Sequence, residues 1–157
     1  MEVINGIDNI SRSFRNPVLT VGNFDGVHLG HRGIFQRVKD LARGLGGESL
    51  VLTFDPHPIR VLFPGNGPPL ITLHEQKVQL IDSAGIDVLI VAQFTREFAQ
   101  LTAEDFVERI LHEKIGARAL VVGPDYRFGR GRKGDISFLT TMGKKFNFEV
   151  HVVPDLM

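Results

Sequence analysis

The sequence predicts an α/β fold: a doubly wound sheet of about five parallel strands with helices on both faces. Two observations carry that expectation. Short, β-branched apolar runs recur along the 157 residues, and amphipathic stretches of helical period separate them. With 43% hydrophobic residues the chain can bury roughly 70% of its unfolded surface around one core, so one domain is expected.

The strands are expected at 18–22, 49–54, 87–92, 119–123 and 148–153. After the first, Ile34, Phe35, Val38, Leu41 and Leu45 fall on one helical face, and Phe106, Val107, Ile110 and Leu111 do the same before the fourth. Thr72 with Glu75, and Thr102 with Asp105, resemble capping boxes that open helices. Ile136, Leu139, Met142 and Phe146 mark a last helix. The stretch 55–69 holds five of the eight prolines plus Gly65 and Gly67, and is expected to be a long ordered loop. In doubly wound sheets the loops at the carboxyl ends of the strands build the ligand site.

Eighteen basic residues balance eighteen acidic ones, so no global field draws the protein to nucleic acid or to a membrane. The absence of cysteine removes disulfides, thiolate metal sites and thiol nucleophiles together. No apolar run approaches the ~18 residues of a membrane span, and the opening residues carry no basic n-region. A soluble, unprocessed, cytoplasmic protein is expected.

The first strand ends at Gly22 and runs into Asn23-Phe24-Asp25-Gly26-Val27-His28-Leu29-Gly30-His31. A glycine-rich turn leading into a helix presents unpaired backbone N–H groups and the positive end of the dipole, which together favour an anion. His28 and His31, three apart, project from nearly the same face of the first turn. Two imidazoles aimed at an anion hole suit phosphoryl or nucleotidyl transfer. The rival reading is a His-x-x-His zinc site with Asp25 as third ligand; the surrounding glycines favour a phosphate, and no metal site is assigned. His74, His112 and His151 are read as surface residues.

Past the fourth strand, Arg127, Arg130, Arg132 and Lys133 crowd among four glycines, a composition suited to a triphosphate or a departing pyrophosphate, or to a solvated basic loop. The run 129–134 fits G-x-G-x-x-G, yet that fingerprint belongs at the first βα turn, so a dinucleotide site is rejected there. In Thr53-Phe54-Asp55-Pro56-His57-Pro58, two prolines flank a histidine just after a buried strand. Phe54 and Phe128 could offer apolar surface to a flat ring. The residues alone favour a rigid turn with His57 at the surface and the phenylalanines in the core.

The string from Gly22 to Arg32 resembles the His-x-Gly-His signature of the nucleotidyltransferase superfamily, which has a Rossmann-like fold. More narrowly, it resembles the FMN adenylyltransferase domain of the bacterial bifunctional riboflavin kinase/FAD synthetase family. The 53–58 segment resembles that family's flavin-side loop, and Gly123-Pro-Asp-Tyr-Arg-Phe-Gly-Arg-Gly-Arg-Lys-Gly-Asp135 its second nucleotide-side loop; Phe94 to Leu101 also matches.

The resemblance implies AMP transfer from Mg-ATP to the phosphate of FMN, giving FAD and pyrophosphate without a covalent intermediate. It implies His28 and His31 as catalytic residues, and Gly22, Asn23, Phe24, Asp25, Gly30, Asp125, Arg127 and Arg130 on the nucleotide. Phe54, Pro56, His57, Pro58 and Phe128 fall to the flavin. Mg2+ is the implied cofactor, travelling with ATP, and a riboflavin kinase domain the implied neighbour in the full-length protein.

The family's Ile-Ser-Ser/Thr-x-x-Arg motif is not reached before Met157, and Ile136-Ser-Phe-Leu-Thr-Thr-Met142 does not replace it. A truncated chain is therefore expected. This leaves open a non-catalytic nucleotide or flavin binding module, or another His-x-Gly-His enzyme such as a cytidylyltransferase.

Overall fold

Strands covered on both faces read as unbroken apolar runs, and in a computed structural model of the chain they occupy the centre of one sheet. The structure describes residues 1–24, 29–65 and 74–154, and of residues 29 and 30 the backbone alone. Six strands pair in parallel throughout: β1 (Glu2–Asn5), β2 (Val18–Val21), β3 (Ser49–Asp55), β4 (Val88–Gln93), β5 (Ala119–Val122) and β6 (Glu149–Val152). Their spatial order is β1-β4-β3-β2-β5-β6, the α/β, Rossmann-like arrangement expected.

The five anticipated runs supply β2 to β6, and β1 is an addition. Only Ile4 of its four residues is buried, so the segment carries no apolar run to read. It is held by register instead, Glu2 to Asn5 lying against Val88 to Val91 at one edge of the sheet.

Between β2 and β3 runs α1 (Leu29–Leu45), and between β3 and β4 come α2 (Pro58–Leu62) and α3 (His74–Ser83). Phe35, Val38 and Ala42 of α1 and Ile81 of α3 bury against Val18, Val51, Leu89 and Val121 on one face of the sheet. The stripe anticipated for α1 holds except at Leu45, which is 39% exposed where the helix runs past the sheet.

The opposite face is covered from the β4–β5 crossover. There α4 (Arg96–Ala99) is followed by α5 (Ala103–Asp105), which continues into a π-helical stretch, Phe106–Ile115. Thr102 caps α5, its Oγ1 accepting the Asp105 N–H at 3.0 Å as the capping pattern implies. The wider winding still buries Phe106, Val107, Ile110 and Leu111, because the apolar residues cluster closely enough to face the sheet together.

After β5, α6 (Ile136–Phe146) adds Leu139 and Met142 to that face. Its N-cap Asp135 accepts the Phe138 N–H at 2.8 Å. The expected 55–69 loop is in part helical: Asp55–Pro56 is cis, and Pro58 opens α2. Residues 66–69 and Thr72, half of the other capping pair, lie outside the described residues; Glu75 sits in the first turn of α3.

Candidate functional site

The chain leaves β2 over one face towards β3, whereas β5 is reached over the other face, so the carboxyl ends of β2 and β5 diverge and leave a crevice. This crevice, of about 220 Å3, is lined by Gly22, Asn23, Phe24 and His31 on the β2 side and by Gly123, Asp125 and Tyr126 on the β5 side. Both loops that the sequence marked for the nucleotide therefore meet here.

Gly22 still belongs to the sheet, its N–H donating to the Leu52 carbonyl at 3.1 Å. The chain then doubles back: Phe24 takes a left-handed φ of 51° and lays its ring over Gly22, where a Cβ would lie 2.9 Å from Phe24 Cζ. That close approach is why glycine stands at the end of β2. The Phe24 ring is buried, 5.1 Å from the Phe35 ring and edge-on to His31 at 5.2 Å. Phe24 thus packs against His31 with its ring edge while contributing to the wall of the crevice. Gly30 and His31 lie in the first turn of α1, whose N-terminal N–H groups have no intrahelical partners. Asp25 and His28 lie outside the described residues. The Oδ1 of Asn23 is buried without a hydrogen-bond partner among the described residues.

The second loop is closed by Phe128 and Gly134, which exchange two backbone hydrogen bonds at 3.1 and 2.9 Å around a 3-10 turn, Arg130–Arg132. The Arg130 N–H pins that turn to the Leu101 carbonyl at 2.7 Å. Between the loop and the start of α6 runs a groove of about 540 Å3 lined by Asp125, Arg127, Arg132, Asp135 and Ser137. Arg127 lines this groove and Arg130 does not; Arg132 of the same basic run takes that place. Tyr126 stacks on Phe128 at 5.5 Å with its hydroxyl buried and without a partner among the described residues, and burial pushes that phenol well above its ordinary value.

At the ends of β1, β3 and β4 lies a broader cleft of about 900 Å3, with Pro56 on its wall, Phe98, Leu101 and Ile110 beneath, and Gln93, Thr95 and Arg109 around them. Of the residues expected on the flavin side, Pro56 lines this cleft directly. Phe54 packs edge-on against Phe98 at 5.7 Å. Phe128 is buried, 5.6 Å from Phe106 and 6.1 Å from Phe138. Both phenylalanines thus belong to one aromatic layer of the core, the arrangement the residues alone favoured. His57 caps α2, its Nδ1 accepting the Ile59 N–H at 3.1 Å, and Pro58 begins that helix. The Nδ1 of His74 lies 4.0 Å from Asp55 Oδ1, where β3 ends.

Lys77, which sequence reasoning passed over, is buried between the two loops. Its spacing was the available signal: Lys77 and Ile81 are four apart in α3 and share its buried face.

A family model described as FAD synthetase matches residues 10–157. A bifunctional riboflavin kinase/FMN adenylyltransferase of Buchnera aphidicola is 37% identical over 150 residues, which is 96% of this chain and 48% of that protein. The Escherichia coli K12 protein of the same description is 35% identical over 151 residues, again 96% and 48%. The chain therefore spans about half the length of the curated relatives it matches. A crystal structure described as a macrolide-efflux protein from Streptococcus pneumoniae superposes with a TM-score of 0.83 at 28% identity, over 99% of this chain and 52% of that one. A lipopolysaccharide core biosynthesis protein from Thermoplasma volcanium, 21% identical with a TM-score of 0.52, shares the fold. With a family model matched from residue 10 to residue 157, a range that takes in the crevice and the groove, the chain belongs to the FAD synthetase family.

Proposed function

We propose that this chain is an FMN adenylyltransferase, transferring AMP from ATP to FMN. The observation that carries the reading is the crevice between β2 and β5, where the glycine turn at Gly22, the first turn of α1 with His31, and Asp125 with the basic loop face one another. A phosphate chain laid there meets a helix N-terminus at one end and guanidinium groups at the other.

In the reaction an oxygen of the FMN phosphate forms a bond to the α-phosphorus of ATP, and the bond to the bridging oxygen breaks as pyrophosphate departs. The nucleophile is already anionic, so alignment and charge stabilisation are what the protein supplies. His31, together with His28 of the same sequence motif, donates hydrogen bonds to the α-phosphate and leaving oxygens, while Arg127 and Arg132 neutralise the departing pyrophosphate. Magnesium arrives on the triphosphate as part of the substrate; the exposed carboxylate of Asp125 is the oxygen donor suited to such a cation. The flavin lies in the cleft walled by Pro56, over Phe98 and Leu101.

Incubation of the chain with FMN and Mg-ATP, followed by chromatography for FAD and an assay for pyrophosphate, tests the reading. FAD formation that His31→Ala lowers about a hundredfold or more supports it. Nucleotide binding without turnover makes the chain a binding module, and turnover with CTP in place of ATP makes it a cytidylyltransferase.

A further inference from the structure

Two loops that must act together leave the sheet on adjacent strands, and one side chain reaches both. Lys77, in the first half of α3, is 7% exposed. Its Nζ donates to the carbonyl of Asn23 at 3.1 Å and to the carbonyl of Phe54 at 3.1 Å. Asn23 is the second residue beyond β2, on the nucleotide side; Phe54 is the next-to-last residue of β3 and precedes Asp55–Pro56, where the flavin-side loop departs. Thr53 reinforces the first contact, its Oγ1 donating to the same Asn23 carbonyl at 3.4 Å.

The sheet has no need of an ammonium here. Gly22 and Leu52 are already joined by a backbone hydrogen bond, and beside Lys77 the buried face of α3 is completed by Ile81. Taking a cation out of water is costly, and an apolar residue would fill the space at less expense. What an apolar residue cannot do is hold two carbonyls, one just past the end of β2 and one at the end of β3 where the flavin-side loop begins, at a fixed separation beyond the Gly22–Leu52 hydrogen bond.

We infer that Lys77 is a positioning residue that sets the distance between the nucleotide loop and the flavin loop, and so the approach of the two reacting phosphates. The inference rests on the FMN adenylyltransferase reading. In a transfer whose rate depends on in-line approach, a displacement of about 1 Å costs about a hundredfold in rate, and each substrate alone still finds its own half of the site. The signature is therefore a loss in kcat with little change in either binding constant.

The experiment compares wild type, Lys77→Met and Lys77→Arg. Each is measured for kcat of FAD formation, for equilibrium binding of FMN and of a non-hydrolysable ATP analogue separately, and for amide hydrogen exchange. Lys77→Met is expected to lose about tenfold to a hundredfold in kcat with each Kd changed by less than about threefold, and Lys77→Arg, which keeps the donors, to recover most of it. Exchange is expected to rise together at Gly22, whose N–H bonds Leu52, and at Phe94, whose N–H donates to the Asp55 carbonyl at 3.3 Å. Unchanged kcat, loss confined to one substrate's Kd, or increased exchange confined to α3 overturns the inference.

Should Lys77→Met not fold, Lys77→Gln carries the same comparison, since its shorter amide reaches only part of the way to the two carbonyls. Failure of both to fold makes Lys77 a stability residue and overturns the inference as well. Should wild type make no FAD, the function proposed above is at fault, and the exchange pattern still decides whether Lys77 ties the loops.

Discussion

Tyr126 is the only tyrosine in the chain, and there is no tryptophan. Its ring stacks on Phe128 and its hydroxyl is buried with no partner among the described residues. An unsatisfied buried hydroxyl costs about 1–3 kcal/mol, so Tyr126→Phe, which keeps the ring and removes the oxygen, is expected to stabilise the fold. Allowing for the small void left behind, the gain is about 1–2 kcal/mol. At ~2.1 cal/mol/K per residue, unfolding entropy at the midpoint is about 0.33 kcal/mol/K, so Tm rises by about 3–6 °C.

The same burial fixes a pH dependence. The folded phenol titrates above the unfolded value of 10.0, so above pH 10.0 the unfolded state binds fewer protons than the native one and stability falls as pH rises. The loss approaches about 1.4 kcal/mol per pH unit in wild type and is absent from the Phe variant. Thermal melts of both proteins from neutral to alkaline pH read the difference. Tyrosinate absorbance, which has a single source in this chain, reads the titration directly. A phenol that ionises near 10.0 in the folded protein, or a Phe variant that melts below wild type, refutes the reasoning.

Four further outcomes follow from the geometry. His31→Ala is expected to lower FAD formation by about two orders of magnitude, read by steady-state kinetics at a temperature where melts show the variant folded. Gly129 has φ +79° and a Cβ there would lie 2.7 Å from the backbone of Ala103, so Gly129→Ala is expected to cost about 1–3 kcal/mol, read as a lowered denaturation midpoint. Asp135→Ala removes the cap of α6 and is expected to cost about 1 kcal/mol by urea titration. Glu48 is held below its ordinary value by the hydrogen bond from Arg12 and by the Arg15 N–H. Its contribution is therefore present above the unfolded pKa and lost as pH falls through the folded one. Glu48→Gln is expected to melt below wild type at neutral pH and to converge with it in acid.

What the sequence made legible and what it hid divide along physical lines. Periodicity reports burial, so β2 to β6 and the buried stripes of α1, the π-helical stretch and α6 could all be read from apolar spacing. β1 could not, because an edge strand with one buried residue is fixed by pairing with β4, a contact nearly ninety positions away in the sequence. Motif spacing located the crevice, since a glycine turn entering a helix and a basic loop after a later strand are both brought to the carboxyl edge by the parallel topology. It did not separate residues that face the site from residues that support it. Phe128 sits inside its motif yet is buried in the core, because a ring beside a strand end gains more from packing on its neighbours than from exposure. The reverse case is Lys77, outside every motif and joined to two of them. Its carbonyl partners are 54 and 23 residues away, and a long-range contact between a side chain and main-chain oxygens leaves no residue-type pattern at either carbonyl. The part of the site that fixes relative position is thus the part least visible in sequence, and it is where a substitution can stop the reaction while leaving both substrates bound.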